Sequence, residues 1–143
     1  FVVDGITAVG AYDIRMDEWK IDGLVAGSQK AVMLPTGISF VCLSAKAWAV
    51  AEKNKTPKFY FDLNRELKAN KNGETLFSTP VPHVKALDYV LGRISEIGLQ
   101  KHFMQLRRRA DFTREMAAAM NLKLFSPSPA DSVTAICVPE GIN

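Results

Sequence analysis

Two residues of opposite charge, Asp4 and Lys30, stand where their chemistry could be used together. Phe1 to Val3 is apolar and ends at Asp4-Gly5, the way a buried parallel strand ends. Gly23-Leu24-Val25-Ala26 is a second such run, stopped by Gly27-Ser28 with Lys30 just beyond. In an open α/β sheet, ligands bind outside the carboxyl ends of the strands. This reading puts both residues on one edge, on neighbouring or near-neighbouring strands. A lysine there can condense with an aldehyde, and a carboxylate can keep a pyridine nitrogen protonated so that the ring withdraws electrons. That pair of roles suits pyridoxal 5′-phosphate. The same spacing also fits a strand-end aspartate capping a turn and a lysine on the surface, and spacing alone leaves both readings open.

The elements that must hold the pair can be read along the chain. After the first strand, Met16 to Ile21 can form a short helical turn. Pro35 and Gly37 keep the loop beyond Lys30 irregular, which lets backbone approach a ligand closely. Residues 38–43 are apolar and β-rich and predict a third buried strand. Ser44 is placed to cap a helix over Ala45–Lys53, and Asp62 to cap one ending near Lys71, before Asn72-Gly73. Residues 74–82 carry Pro80 and Pro82 and cannot be a regular central element. Val84, Leu87, Val90, Leu91, Ile94 and Ile97 recur at helical spacing and predict an amphipathic helix over 83–98. A second helix is expected from Leu99 to about Met120. Residues 122–125 and 133–138 predict short strands across the turn-rich SPSPADS.

The 143 residues fit one domain able to bury about two-thirds of its unfolded surface. Hydrophobic content of 48% and charged content of 23% match an ordinary soluble globular protein, and a net charge of +3 points to neither nucleic acid nor membrane. No apolar run approaches the ~20 residues needed to span a bilayer. Cys42 and Cys137 lie in apolar runs and read as small buried hydrophobes, so the expected setting is reducing and cytoplasmic. His83 and His102 have no partner at ligand spacing, and no metal site is expected. The basic cluster Lys101-His102 and Arg107-Arg108-Arg109 reads as a solvated helix face, with Arg107 and Asp111 able to pair along it.

The segments around the two charged residues carry a resemblance. VDGITAVGAYDIRMDEWKID, followed by AGSQKAVMLPTGISF, resembles the class V, fold-type I pyridoxal-phosphate aminotransferases, with the nearest likeness to the alanine–glyoxylate, serine–glyoxylate and serine–pyruvate group. That family holds its pyridinium aspartate in a V-D-x-x-x-S/A-x-G segment, here Asp4. It holds its Schiff-base lysine in S-G-S-Q-K-A-L-x-x-P-P-G, here Lys30. Ala26 and Thr36 depart from the pattern without touching either role. The resemblance implies an α/β architecture: 1–82 as part of the large cofactor-binding domain, a mostly parallel sheet with helices, and 83–143 as helices opening the small C-terminal α+β domain. It also implies that Ile6 lies against the ring and Gln29 near the phosphate. A family loop reaches over the partner subunit's cofactor phosphate, and its threonine falls on Ser78 by ungapped register or on Thr79 by the literal Thr-Pro pair.

The implied reaction moves an amino group from alanine or serine to glyoxylate or pyruvate, in a homodimer with cofactor sites at the interface. Both chain ends look cut, so a middle-to-C-terminal portion, inactive alone, is expected. Phosphoserine aminotransferases share the Gln-Lys pair and are a near rival. Cysteine desulfurases carry a His before the lysine, where this chain has Gln29, and need a reactive cysteine on a mobile loop. A non-catalytic α/β interaction module is the rival from another class.

Overall fold

The computed structural model describes residues 1–142. Three strands, β1 (Val2–Asp4), β2 (Gly23–Gly27) and β3 (Ser39–Leu43), form one sheet in that order, followed by α1 (Ala45–Lys53), α2 (Leu63–Lys71), α3 (Val81–Ile97) and α4 (Leu99–Ala119). β1 and β2 run parallel, with Val2 opposite Gly23 and Asp4 opposite Val25. β3 runs antiparallel to β2, with Val25 opposite Val41.

That last pairing corrects the expectation of a buried third strand. Residues 28–38 fold straight back on β2 without a crossover helix, and a return of that kind can only be antiparallel. β3 therefore lies at the end of the three-strand order, with Val41 and Cys42 exposed. β1 is likewise open, and Val2 is 74% exposed. Burial concentrates between the strands and the loops at their carboxyl ends: Ala11, Ile21, Leu24, Ala26, Val32 and Leu34. Cys42 is exposed and Cys137 half-buried, so neither is the buried hydrophobe that its apolar neighbours predict. A strand in an end position shows a face that composition alone reads as core.

The helices follow their local signals. The Ser44 side chain accepts from the Ala47 N–H, and the Asp62 carboxylate accepts from Asn64 and Arg65, which satisfies donors the first turns would otherwise leave free. α3 starts two residues before His83, because Pro82 in its first turn loses no hydrogen bond there. Gly98, at φ +85°, turns α3 into α4, and the two helices pack on one another. The two expected C-terminal strands shrink to one antiparallel bridge, Leu124 to Ile136. Pro127 and Pro129 in the intervening turn have no N–H to extend the ladder.

Candidate functional site at the carboxyl ends of the first two strands

Asp4 is the last residue of β1, and the chain turns sharply after it. Gly5 donates to the Val25 carbonyl at 2.8 Å. A methyl group on Gly5 would come within 2.7 Å of Leu24 Cδ1, so this turn requires glycine. Asp4 Oδ1 accepts from the Ile6 N–H at 2.9 Å, and its carboxylate is exposed. The Ile6 backbone thus orients the acid, a role invisible in the sequence, while the Ile6 side chain is half-buried.

Lys30 lies three residues beyond β2 in an exposed turn that Met33 closes by donating to the Lys30 carbonyl at 2.8 Å. The anchor of that turn is Ser28, which is fully buried. Its hydroxyl donates to the Pro35 carbonyl at 2.7 Å and accepts from the Ile38 N–H at 3.3 Å. Its own N–H donates to Ile38 and its carbonyl accepts from Leu34, both at 3.0 Å. Four bonds from one residue close the whole loop 28–38. From the sequence Ser28 is merely a neighbour of Lys30, although a small hydroxyl residue ending an apolar run was the available signal.

Asp4 and Lys30 therefore share one edge of the sheet, at the ends of adjacent parallel strands. Among the described residues, neither takes part in an ion pair. Gln29 is half-buried and folds back over Gly27, where a methyl group would meet its Oε1 at 2.6 Å. Ser78 is exposed, and the Thr79 hydroxyl is bonded to that of Thr75. Among the described residues no hydrogen bond joins either to Asp4 or the lysine loop. The link from their segment is His83 on α3, whose ring reaches the Thr36 carbonyl at 3.1 Å.

Of the basic cluster on α4, Arg107 is the member in ion pairs among the described residues, and Arg114 one turn beyond the cluster is paired as well. Arg107 meets Asp111 at 3.7 Å and Asp131 at 3.9 Å, and Arg114 meets Asp131 at 3.5 Å. No helix among the described residues is long and apolar enough to cross a membrane.

Known proteins are similar to this chain in sequence and fold. The family model for aminotransferase class-V matches residues 1–141. The chain is 36% identical over 149 residues to a serine–glyoxylate aminotransferase of Methylorubrum extorquens, covering 99% of this chain and 37% of the relative. It is 37% identical over 140 residues to the soluble hydrogenase 42 kDa subunit of Anabaena cylindrica, covering 96% of this chain and 37% of that protein. Among solved structures, a subgroup IV aspartate aminotransferase from Thermus thermophilus superposes with a TM-score of 0.88 at 28% identity, over 99% of this chain and 39% of its own. The chain thus spans little more than a third of the length of the relatives it matches. Since the family model runs over residues 1–141 of the 143, the chain belongs to the class-V aminotransferases.

Proposed function

We propose that this chain carries the lysine and the aspartate of a pyridoxal-phosphate-dependent aminotransferase that moves an amino group from alanine or serine to glyoxylate or pyruvate. The observation that carries the reading is the placement of Asp4 and Lys30 at the ends of adjacent parallel strands, both exposed and neither in an ion pair. The two groups fit the cofactor. Lys30 offers an uncommitted amine, and Asp4 has one oxygen fixed by the Ile6 N–H and one without a bond among the described residues. When bound, pyridoxal phosphate supplies the carrier of the amino group and a sink for electrons from the substrate α-carbon.

Lys30 Nζ would hold the cofactor and, once free, would take the proton from the substrate α-carbon as general base and return it as general acid. Asp4 keeps the ring nitrogen protonated. Ile6 would pack against the ring, and Gln29 would hold the phosphate. Ser78 or Thr79 reaches the phosphate of a second subunit in a homodimer. An exposed aromatic cluster beside these hydroxyls, with Tyr60 stacked on Phe77 at 4.6 Å and Phe59 and Phe61 exposed, supports an interface there. Residues 1–82 serve the cofactor-binding domain and 83–143 open the small one. A cytoplasmic setting with both cysteines free belongs to the same reading.

A phosphoserine aminotransferase remains compatible with Gln29-Lys30. Against a desulfurase stand Gln29, in place of that group's histidine, and the place of Cys42 in β3 opposite Leu24 instead of on a loop. Incubating the full-length protein with pyridoxal phosphate, alanine or serine, and glyoxylate tests the reading. Glycine and the matching 2-oxo acid should form together. Formation of neither, with phosphoserine turned over instead, would replace it.

A further inference from the structure

Both histidines of the chain sit on the helical pair α3–α4, and both bond to backbone in or beside the lysine loop. His102 on α4 is 4% exposed, and its Nε2 lies 2.9 Å from the Gly10 carbonyl. His83 on α3 is half-buried, with its Nε2 3.1 Å from the Thr36 carbonyl. A carbonyl only accepts, so each imidazole carries its proton on Nε2 and donates.

Thr36 belongs to the loop itself, and Gly10 lies beside the residues that follow Lys30. Gly10 has φ +87°, and a methyl group built on it would lie 3.4 Å from the Ala31 carbonyl carbon and 3.5 Å from the Val32 nitrogen. Its backbone is therefore wedged between His102 and the residues that follow Lys30. Next to Thr36, Gly37 has φ +147°, and a methyl group there would strike His83 Nε2 at 2.8 Å. Both close approaches need glycine, for space at Gly37 and for the left-handed φ at Gly10.

We infer that His83 and His102 are positioning residues through which α3 and α4 set the place of the Lys30 loop against Asp4. Among the described hydrogen bonds neither ring reaches Lys30 or Asp4. Each acts through a backbone carbonyl: His102 by way of Gly10 on Ala31 and Val32, His83 directly on Thr36. A shift of the helical pair is then transmitted to the lysine loop at both of these places. The inference gives the proposed Lys30 chemistry its mechanical support and rests on that reading only for its functional consequence.

Hydrogen exchange on the full-length apoprotein tests it, with His102→Leu, His102→Gln and His83→Ala. Leu removes the donor, whereas Gln keeps an amide N–H that can reach the Gly10 carbonyl. In His102→Leu, the amides of Met33, Leu34 and Ile38 should exchange on the order of tenfold faster while residues 45–71 are unchanged. His102→Gln should restore most of the protection. In the loaded enzyme, kcat should fall by a similar factor with KM little changed. Unchanged exchange in the loop, or an equal rise across the chain, overturns the inference in favour of plain helix anchoring. If His102→Leu does not fold, His83→Ala decides alone: loop exchange must rise locally, and failure to do so overturns the proposal. The exchange readout needs no cofactor, so it stands apart from whether Lys30 binds one.

Discussion

The loop that carries Lys30 and the segment that carries Ser78 and Thr79 are held in opposite ways. The first is closed by four hydrogen bonds from the fully buried Ser28, lies against Gly10, and is touched by His83. In the second, Ser78 and Thr79 are exposed and tied by short-range bonds, Thr75 to the Phe77 carbonyl at 2.6 Å and Val81 to the Thr79 carbonyl at 2.8 Å, with the Leu76 N–H reaching the Glu66 carboxylate at 3.2 Å just before them. Covalent and acid–base chemistry needs atoms placed to within a fraction of an ångström, and buried hydrogen bonds provide that. A phosphate contact tolerates more freedom, and an exposed segment can take its final place against a second surface. On the proposed reading, the contrast would separate residues that set rate from residues that set retention.

The largest effect should come from the well-tied side. Asp4→Asn removes the charge proposed to hold a ring nitrogen protonated but keeps the hydrogen bond from Ile6. Turnover in the full-length protein should fall by on the order of 10²–10⁴, the span of a positioned acid–base group, with unchanged melting. Near-normal kcat would leave Asp4 as a turn cap and erase half of the contrast.

Ser28→Ala attacks the same side through its support. It strips a partner from the Pro35 carbonyl and the Ile38 N–H in a buried place, which should cost about 1–3 kcal/mol in urea unfolding. An unaltered midpoint would mean that the loop is held by something other than this residue.

On the loose side, Ser78→Ala and Thr79→Ala should lower cofactor retention by about tenfold for whichever residue reaches the phosphate, a loss of roughly 1.4 kcal/mol, with kcat preserved at saturating cofactor. Dialysis against buffer, followed by the visible absorbance that remains, reads this. A fall in kcat without loss of cofactor would move that hydroxyl into the chemistry.

The smallest effect lies at the opposite end of the sheet. The Asp22 carboxylate accepts from the Lys46 ammonium at 2.9 Å and from the Ser44 hydroxyl at 3.1 Å, which favours its charged form. A depressed folded-state pKa stabilises above the unfolded value, and that contribution is lost as pH falls toward the folded one. Melting temperature followed from about pH 5 to pH 2 should fall less steeply in Asp22→Asn. Loop exchange at residues 28–38 should be unaffected.

How much of this was legible in the sequence depended on whether the signal was local. The caps at Ser44 and Asp62, the turn at Gly98 and the apolar runs before Asp4 and Gly27 each carry their information within a few residues, and the elements appear where those residues put them. Tertiary context decided the rest. Residues 38–43 read as a buried strand because they are apolar, yet the returning loop sends them to the end of the sheet and exposes Cys42. The expected Arg107–Asp111 pair is present, but the contacts of Arg107 and Arg114 with Asp131 join parts of the chain no local pattern relates. Ser28, Gly10 and the two histidines were illegible as supports for the same reason. Their partners lie 6 to 92 residues away.

The central claim is that Lys30 is the cofactor's covalent site, and one measurement reaches it directly. The full-length protein, loaded with pyridoxal phosphate, is reduced with borohydride, digested and mapped by mass. The account predicts a single pyridoxyl adduct on Lys30, absent from Lys30→Ala. An adduct on any other lysine, with Lys30 unmodified, would contradict it.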